Sequence, residues 1–433
     1  VAQISNSITK KLSDQGETIM TKSNSPHAGG RHFLHIPGPT PVPDRILRAI
    51  DQQVIDHRGP AFQELAKDVL SGIKTIFKTT QPVIIYPASG TGAWEAALVN
   101  TLSPGDEILM VETGQFASLW HKMATKLGLV PQLIETDWRS GVDASVIEAK
   151  LLADTAHSVK AVCVVHSETS TGVLSSIAAV RQAMNRAKHP ALLMVDTISS
   201  LGSTDYRHDE WGVDVTIGGS QKGLMLPPGL SFNAISAKAM QASKTATLPR
   251  AFWSWDEMLA SNETGFFPYT PATNMLYGLR EAIAMLHEEG LDNVFARHTR
   301  HGEAARRAVA SWGLTLQCNN PAEYSPVLTT VQVPSGHDAD HLRAVILKNF
   351  NMSLGMGLAR LKGKVFRIGH LGDCNDLSLM AALTGVEMGL ALAGIPHQKG
   401  GVDAAMAYLV ACAAERSEKI GVASDAASVR VAA

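Results

Sequence analysis

Val213-Asp214-Val215-Thr216-Ile217-Gly218-Gly219-Ser220-Gln221-Lys222-Gly223 is a β-branched, apolar run that stops at glycines and one lysine. Its length and bounds predict a buried strand over Val213–Ile217. A lysine at the end of a buried strand loses water, which favours its neutral amine. A neutral amine can attack a carbonyl and form a Schiff base. Upstream, Ala191-Leu192-Leu193-Met194-Val195 is a second apolar strand and ends in Asp196. An amine and a carboxylate at two strand ends suit pyridoxal 5'-phosphate (PLP), which needs a lysine for its aldehyde and an acid for its ring nitrogen.

Around this pair, apolar strands alternate with helical patterns. Strands are expected at Val83–Tyr86, Glu107–Val111, Gln132–Glu135, Ala161–Val165, Leu192–Val195 and Ser231–Ser236, with helices at Ala117–Leu127, Val146–Ala153 and Ile177–Lys188. Such alternation predicts an α/β fold with a mainly parallel sheet covered on both faces. After a bridging helix over Tyr277–Glu289 come a strand (Val327–Val333), a helix (His341–Phe350), a strand (Val365–Ile368) and a helix (Leu377–Leu392). They predict a smaller α+β domain. The expected division is a disordered arm over 1–32, a large cofactor-binding domain over 33–289 that includes the N-terminal segment, a small domain over 290–397, and a partly disordered tail over 398–433.

The 433 residues carry 38 Lys and Arg against 40 Asp and Glu, a net charge of −2 that points to no nucleic-acid partner. Cys163, Cys318, Cys374 and Cys412 lack paired spacing, so neither a disulfide framework nor a zinc site is expected, and a reducing cytoplasm is. No apolar run spans a bilayer, and the polar start has no secretory h-region.

Val83–Tyr86 runs into Pro87-Ala88-Ser89-Gly90-Thr91-Gly92 and then a helical stretch. Strand, glycine-rich turn and helix start make an anion site from free N–H groups and the helix dipole. No Gly-Lys-Ser/Thr follows, and Glu95 stands where a dinucleotide fingerprint needs glycine. Helix capping by Ser89 or Thr91 is the plain alternative.

Six stretches in order resemble the class V aminotransferases of fold type I, within them the alanine/serine–glyoxylate aminotransferase family. They are Ile36-Pro37-Gly38-Pro39-Thr40, Ser89-Gly90-Thr91-Gly92, His166-Ser167-Glu168-Thr169-Ser170-Thr171-Gly172, Val195-Asp196-Thr197-Ile198-Ser199-Ser200, Gly219-Ser220-Gln221-Lys222-Gly223 and Phe366-Arg367-Ile368-Gly369. The resemblance implies that Lys222 holds PLP as a Schiff base and Asp196 pairs with its ring nitrogen. It implies phosphate contacts from Ser89, Gly90, Thr91 and Gln221, a ring-hydroxyl contact from Thr169, and Phe116 and Ile198 on the two ring faces. Arg367 would clamp the substrate carboxylate.

The family also brings a tyrosine and a threonine from a partner subunit. Here Thr270 is present, but Phe267 stands at the tyrosine position, beside Tyr269. The implied reaction is ping-pong transfer of an amino group from serine, or from alanine or aspartate, to glyoxylate, in a homodimer with shared sites. The rivals are a cysteine desulfurase or other class V lyase, and a PLP-binding regulatory protein without catalysis. Cys374 is the only cysteine near the Arg367 strand; His57, His166 and His370 are given no chemistry. A dicarboxylic donor would need a second cation, for which Arg58, Arg360 and Lys362 are the options.

Overall fold

Strands whose residues are apolar on both faces must be covered on both faces, and this governs the architecture. The computed structural model describes residues 29–431, so most of the expected N-terminal arm lies outside the described residues. Along the chain the strands are β1 (Phe33–His35), β2 (Val83–Tyr86), β3 (Glu107–Glu112), β4 (Val130–Glu135) and β5 (Val159–Val165). They continue with β6 (Ser167–Glu168), β7 (Val173–Leu174), β8 (Leu192–Asp196), β9 (Val215–Gly219) and β10 (Ser231–Ile235). The last are β11 (Thr315–Leu316), β12 (Leu328–Gln332), β13 (Met352–Met356) and β14 (Val365–Gly369).

Seven strands form one sheet in the order β2-β10-β9-β8-β5-β3-β4. β10 is antiparallel to both its neighbours, and every other pairing is parallel. Side chains alternate across the sheet with period two. Ile108, Met110, Cys163, Met194 and Ile217 face a core that holds Trp94 and Trp120, from the helices Gly90–Thr101 and Gln115–Lys126. Leu109, Val111, Val162, Leu193 and Val195 face the opposite core, under the helices Ala144–Ala153 and Ile177–Arg186. The expected mainly parallel sheet with helices on both faces is what forms.

A second sheet has the order β1-β13-β14-β12-β11 and packs against Leu291–Ser311, Ala339–Phe350 and Asp376–Leu392. Three features depart from expectation. Phe33–His35 was assigned to the large domain, yet it pairs in parallel with β13 in the second sheet. Three residues carry no periodic signal that could choose a sheet. The helix Leu291–Ser311 and strand β13 have no counterpart in the sequence reading; the helix follows Thr273–Glu289 directly, across Gly290 at φ 82°.

The third departure is the 398–433 segment, expected as a partly disordered tail. It forms the helix Gly401–Val431 instead. Ala405 and Leu409, four residues apart, are buried against the second sheet's core. Glu387 caps the helix start, accepting from Gly400 N at 2.9 Å and Val402 N at 3.0 Å while holding Trp312 Nε1 at 2.8 Å. Gly401 lies so close to Trp312 that a Cβ there would stand 2.2 Å from Nε1. Alanine and glycine mask this docking in composition.

Among the described residues no helix is long and apolar enough to cross a membrane, and no group of three His, Cys, Asp or Glu could hold a metal.

Docking of the last helix makes a stability prediction. Leu409→Ala should cost about 2–4 kcal/mol, the range for emptying a buried leucine site, read as a lower denaturant midpoint. A midpoint indistinguishable from wild type would mean that the helix contributes no packing.

Candidate active site

The carboxyl ends of parallel strands are where α/β sheets gather ligand-binding loops. Here β2, β5, β8 and β9 end around one cavity of about 200 Å³. Ser89, Gly90 and Thr91 follow β2; Ser167 and Thr169 follow β5; Asp196 ends β8; Gln221 and Lys222 follow β9. Phe116 and Ile198 also line it, as do Gly38 and Pro39 from the turn after β1. Nine of the eleven residues singled out from sequence therefore share one cavity.

Lys222 is buried, and its Nζ donates to the carbonyl of Pro37. The turn lies directly on the amine: a Cβ on Gly38 would come within 2.3–2.5 Å of Lys222 Cδ, Cε and Nζ, at φ +99°. Thr40 closes the same turn, its N donating to Gln221 O at 3.1 Å and its Oγ1 to Lys222 O at 3.2 Å. Burial pulls the Lys222 ammonium down to about 7, helped by the nearby Arg367 cation and opposed by Asp196 and Glu168. At neutral pH a large share of this amine is uncharged.

Asp196 is also buried. One oxygen accepts from Ile198 N at 2.7 Å and the other from Trp94 Nε1 at 3.0 Å. Burial raises its carboxyl to about 7; the Glu168 charge adds to that, while the Ile198 and Trp94 donors and the Lys222 charge pull it back. A cationic ligand atom beside Asp196 would restore its ionised form.

At the start of the helix Gly90–Thr101, Ser89 makes no side-chain cap bond and no acidic residue stands in the first turn. The alternative of Ser89 as a simple cap is thus set aside. Gly90 is needed here, because a Cβ would stand 2.2 Å from Ile198 Cδ1. Gln221 Oε1 is buried without a partner; with the amide turned over, its N–H₂ would face the same space and could donate to a ligand oxygen. An unsatisfied amide, an uncapped helix start, a weakly basic lysine and a buried carboxylate together fit the phosphate, aldehyde and ring nitrogen of PLP.

Arg367, on β14, is buried next to the cavity without lining it. Its Nε donates to Met356 O and its Nη1 to Thr169 O, each at 2.8 Å, which fixes the guanidinium plane. Thr270 is exposed and outside its own chain's cavity. Tyr269 is turned the other way: its hydroxyl donates to Ile85 O at 3.1 Å and its ring stacks on Phe252 at 4.6 Å.

The sequence reading gave no role to several neighbours. Trp94 lies one turn into the helix, and its indole N–H finds Asp196; a buried tryptophan needs such an acceptor. Ser199 lines the cavity and meets the Thr169 hydroxyl. Glu168 is fully buried beside them. The Pro37–Gly38 turn lies on Lys222; its stretch carries the family resemblance, but no residue in it was given a role. Arg58 is exposed; Arg360, also exposed, is held by Thr136 O at 2.8 Å and stacked on Trp138 at 3.9 Å. Apart from Lys222, the cavity lining holds no basic side chain.

A doubly covered, mainly parallel sheet with such a lysine and aspartate at its strand ends defines a fold type I PLP enzyme. Residues 32–368 match the Aminotransferase class-V family. A serine–glyoxylate aminotransferase of Methylorubrum extorquens is 48% identical over 88% of this chain and 96% of its own length. An L-aspartate–glyoxylate aminotransferase of Paracoccus denitrificans is 45% identical over 87% of this chain and 95% of its own. The crystal structure of pyridoxamine–pyruvate aminotransferase from Mesorhizobium loti superposes with a TM-score of 0.83 at 26% identity, over 89% of this chain and 99% of that one. The chain belongs to the class V aminotransferases and is a PLP-dependent enzyme.

The depressed Lys222 amine can be measured. In cofactor-free protein its acylation by an amine-selective reagent, followed by peptide mass spectrometry, should be half-maximal near pH 7. Surface lysines should need about three units more. A Lys222 midpoint near 10 would show that the amine is solvated.

Proposed function

We propose that this enzyme moves an amino group from a small L-amino acid, serine foremost, to glyoxylate, leaving glycine. The observation that carries the reading is the convergence of Lys222, Asp196 and the open start of the helix Gly90–Thr101 on one cavity. Relatives that are 45–48% identical, and named for glyoxylate, support the acceptor.

In this reading Lys222 Nζ holds PLP covalently, and Ser89, Thr91, Gln221 and the N–H groups at Gly90 hold its phosphate. Phe116 and Ile198 flank the ring, Thr169 meets the ring hydroxyl and Asp196 meets the ring nitrogen. When bound, PLP supplies the electron sink that lets the donor's Cα proton leave. The protein's own part is proton handling and placement. Once the donor's amine has displaced it, the free Lys222 Nζ would accept the Cα proton, for which a midpoint near 7 is well matched to neutral pH. Asp196, ionised opposite a protonated ring nitrogen, keeps that positive charge in place. Arg367, its plane held by the Met356 and Thr169 carbonyls, offers its remaining N–H groups to the substrate carboxylate.

The donor preference follows from charge. With no basic side chain besides Lys222 in the lining, a second carboxylate would be buried without a partner, which is expensive. Serine or alanine avoids that cost. A desulfurase role is disfavoured because Cys374 lies outside the cavity, bonded to Ser378 and Asn375, with burial raising its thiol. We also propose a homodimer in which the 266–270 loop, where Thr270 is exposed, brings Thr270 to the phosphate of the neighbouring site. The four unpaired cysteines support a cytoplasmic setting.

Borohydride treatment of the yellow holoenzyme should attach the cofactor to Lys222. Lys222→Ala should keep binding PLP but lose at least about 10²–10⁴ in kcat, the share of a general base. Labelling at another lysine would overturn the assignment. With glyoxylate saturating, kcat/KM should rank serine above alanine and aspartate. Aspartate ahead by tenfold, or about 1.4 kcal/mol, would reject the serine preference.

A further inference from the structure

Glu168 is fully buried one residue before Thr169, and no step above uses it. Its carboxylate meets three backbone N–H groups and one hydroxyl. Oε1 accepts from Ser170 N at 3.0 Å, Ser170 Oγ at 2.7 Å and Phe116 N at 3.4 Å, and Oε2 accepts from Ala117 N at 3.2 Å. The backbone N–H contacts favour the ionised form, while burial, the larger effect, holds the carboxyl above its ordinary value. Phe116 and Ala117 lie in the first turn of the helix Gln115–Lys126, whose N-cap is Gly114. Glycine is required there: a Cβ would stand 2.4 Å from Glu168 Cγ and from Ser170 Oγ. The gap exists for this carboxylate, which replaces the missing cap side chain and meets the positive end of the helix.

Its charge also bears on the site's ionisable groups. Glu168 raises the basicity of Lys222 and of Arg367, and opposes ionisation of Asp196. Lys222, Arg367, Asp196 and Glu168 are all buried, and the charge on each bears on the others.

We propose that Glu168 is a positioning residue for transamination: its carboxylate fixes the helix turn that presents Phe116 to the cavity, and it supplies the second negative charge against Lys222 and Arg367. The inference rests on the roles proposed for Phe116, Lys222 and Arg367.

Two variants separate the two tasks. Glu168→Gln keeps the shape and removes the charge; Glu168→Asp keeps the charge and withdraws it from the helix. Removing a negative neighbour disfavours a protonated amine. In cofactor-free Glu168→Gln the Lys222 acylation midpoint should therefore fall below that of wild type. In the holoenzyme the pH midpoint of the visible cofactor absorbance should move the same way. Glu168→Asp should leave both midpoints close to wild type. It should instead speed amide hydrogen exchange at Phe116 and Ala117 at least tenfold and lower kcat.

Unchanged midpoints in Glu168→Gln would overturn the charge role, and unchanged exchange in Glu168→Asp would overturn the clamp. If Glu168→Gln does not fold, Glu168→Asn takes its place for the two midpoints, and the aspartate variant tests the clamp through exchange and kcat. The cofactor-free measurements do not depend on where PLP attaches, so a failed borohydride label at Lys222 would reject the proposed function and leave this inference standing on its own data.

Discussion

The site depends on one constraint: an amine and a carboxylate must both be dry and must come from neighbouring strands. β8 and β9 run parallel, with Asp196 in register with Ile217, so the acid and the loop carrying Lys222 leave the sheet side by side. A single buried ion costs several kcal/mol unless it is paired and hydrogen-bonded. The chain meets this by burying charges of both signs together. Lys222 and Asp196 each stand near 7, poised between charged and neutral forms. A group that must accept and return a proton gains from that balance, whereas a surface lysine would stay locked as a cation.

Close approach is the second requirement, and glycine meets it at three walls. Gly38 lets the turn after β1 lie on the Lys222 side chain, Gly90 lets Ile198 reach the helix start, and Gly114 lets Glu168 reach the next helix. In each case the atom that a Cβ would strike belongs to a residue assigned work in the site. These glycines therefore bring the functional groups within range of one another, which is a different task from making a turn.

Much of this was legible in the sequence. Strands buried on both faces read as continuous apolar runs, and β2, β5, β8 and β10 fall within two residues of where those runs predict them. Asp196, Lys222 and the Ser89–Thr91 turn were visible because polar residues at the ends of such runs have few other uses. Short or compositionally plain elements were not visible. β1 has three residues, and its partner β13 lies more than three hundred residues away, a pairing that no local pattern encodes. The last helix hides its packing in alanines and a single leucine. Glu168 stood inside a recognised motif yet gained a role only when the fold brought Phe116 N and Ala117 N to its carboxylate.

The second sheet explains why distant segments serve one site. β14 carries Arg367, and β13 joins β14 to β1, the strand that leads into the Pro37–Gly38 turn. Gly369, at the end of β14, lies against Ile36 so closely that a Cβ would stand 2.3 Å from its carbonyl oxygen. The group proposed to hold the substrate carboxylate and the turn that lies on the amine are therefore parts of one rigid sheet. Arg367 is tied to the loop after β6 through Thr169 O, and Thr169 also lines the cavity. Any shift of the second sheet would move Arg367 and the Pro37–Gly38 turn together relative to Lys222. The Gly369–Ile36 contact and the β1-β13-β14 pairing thus link the position of Arg367 to that of the turn on Lys222.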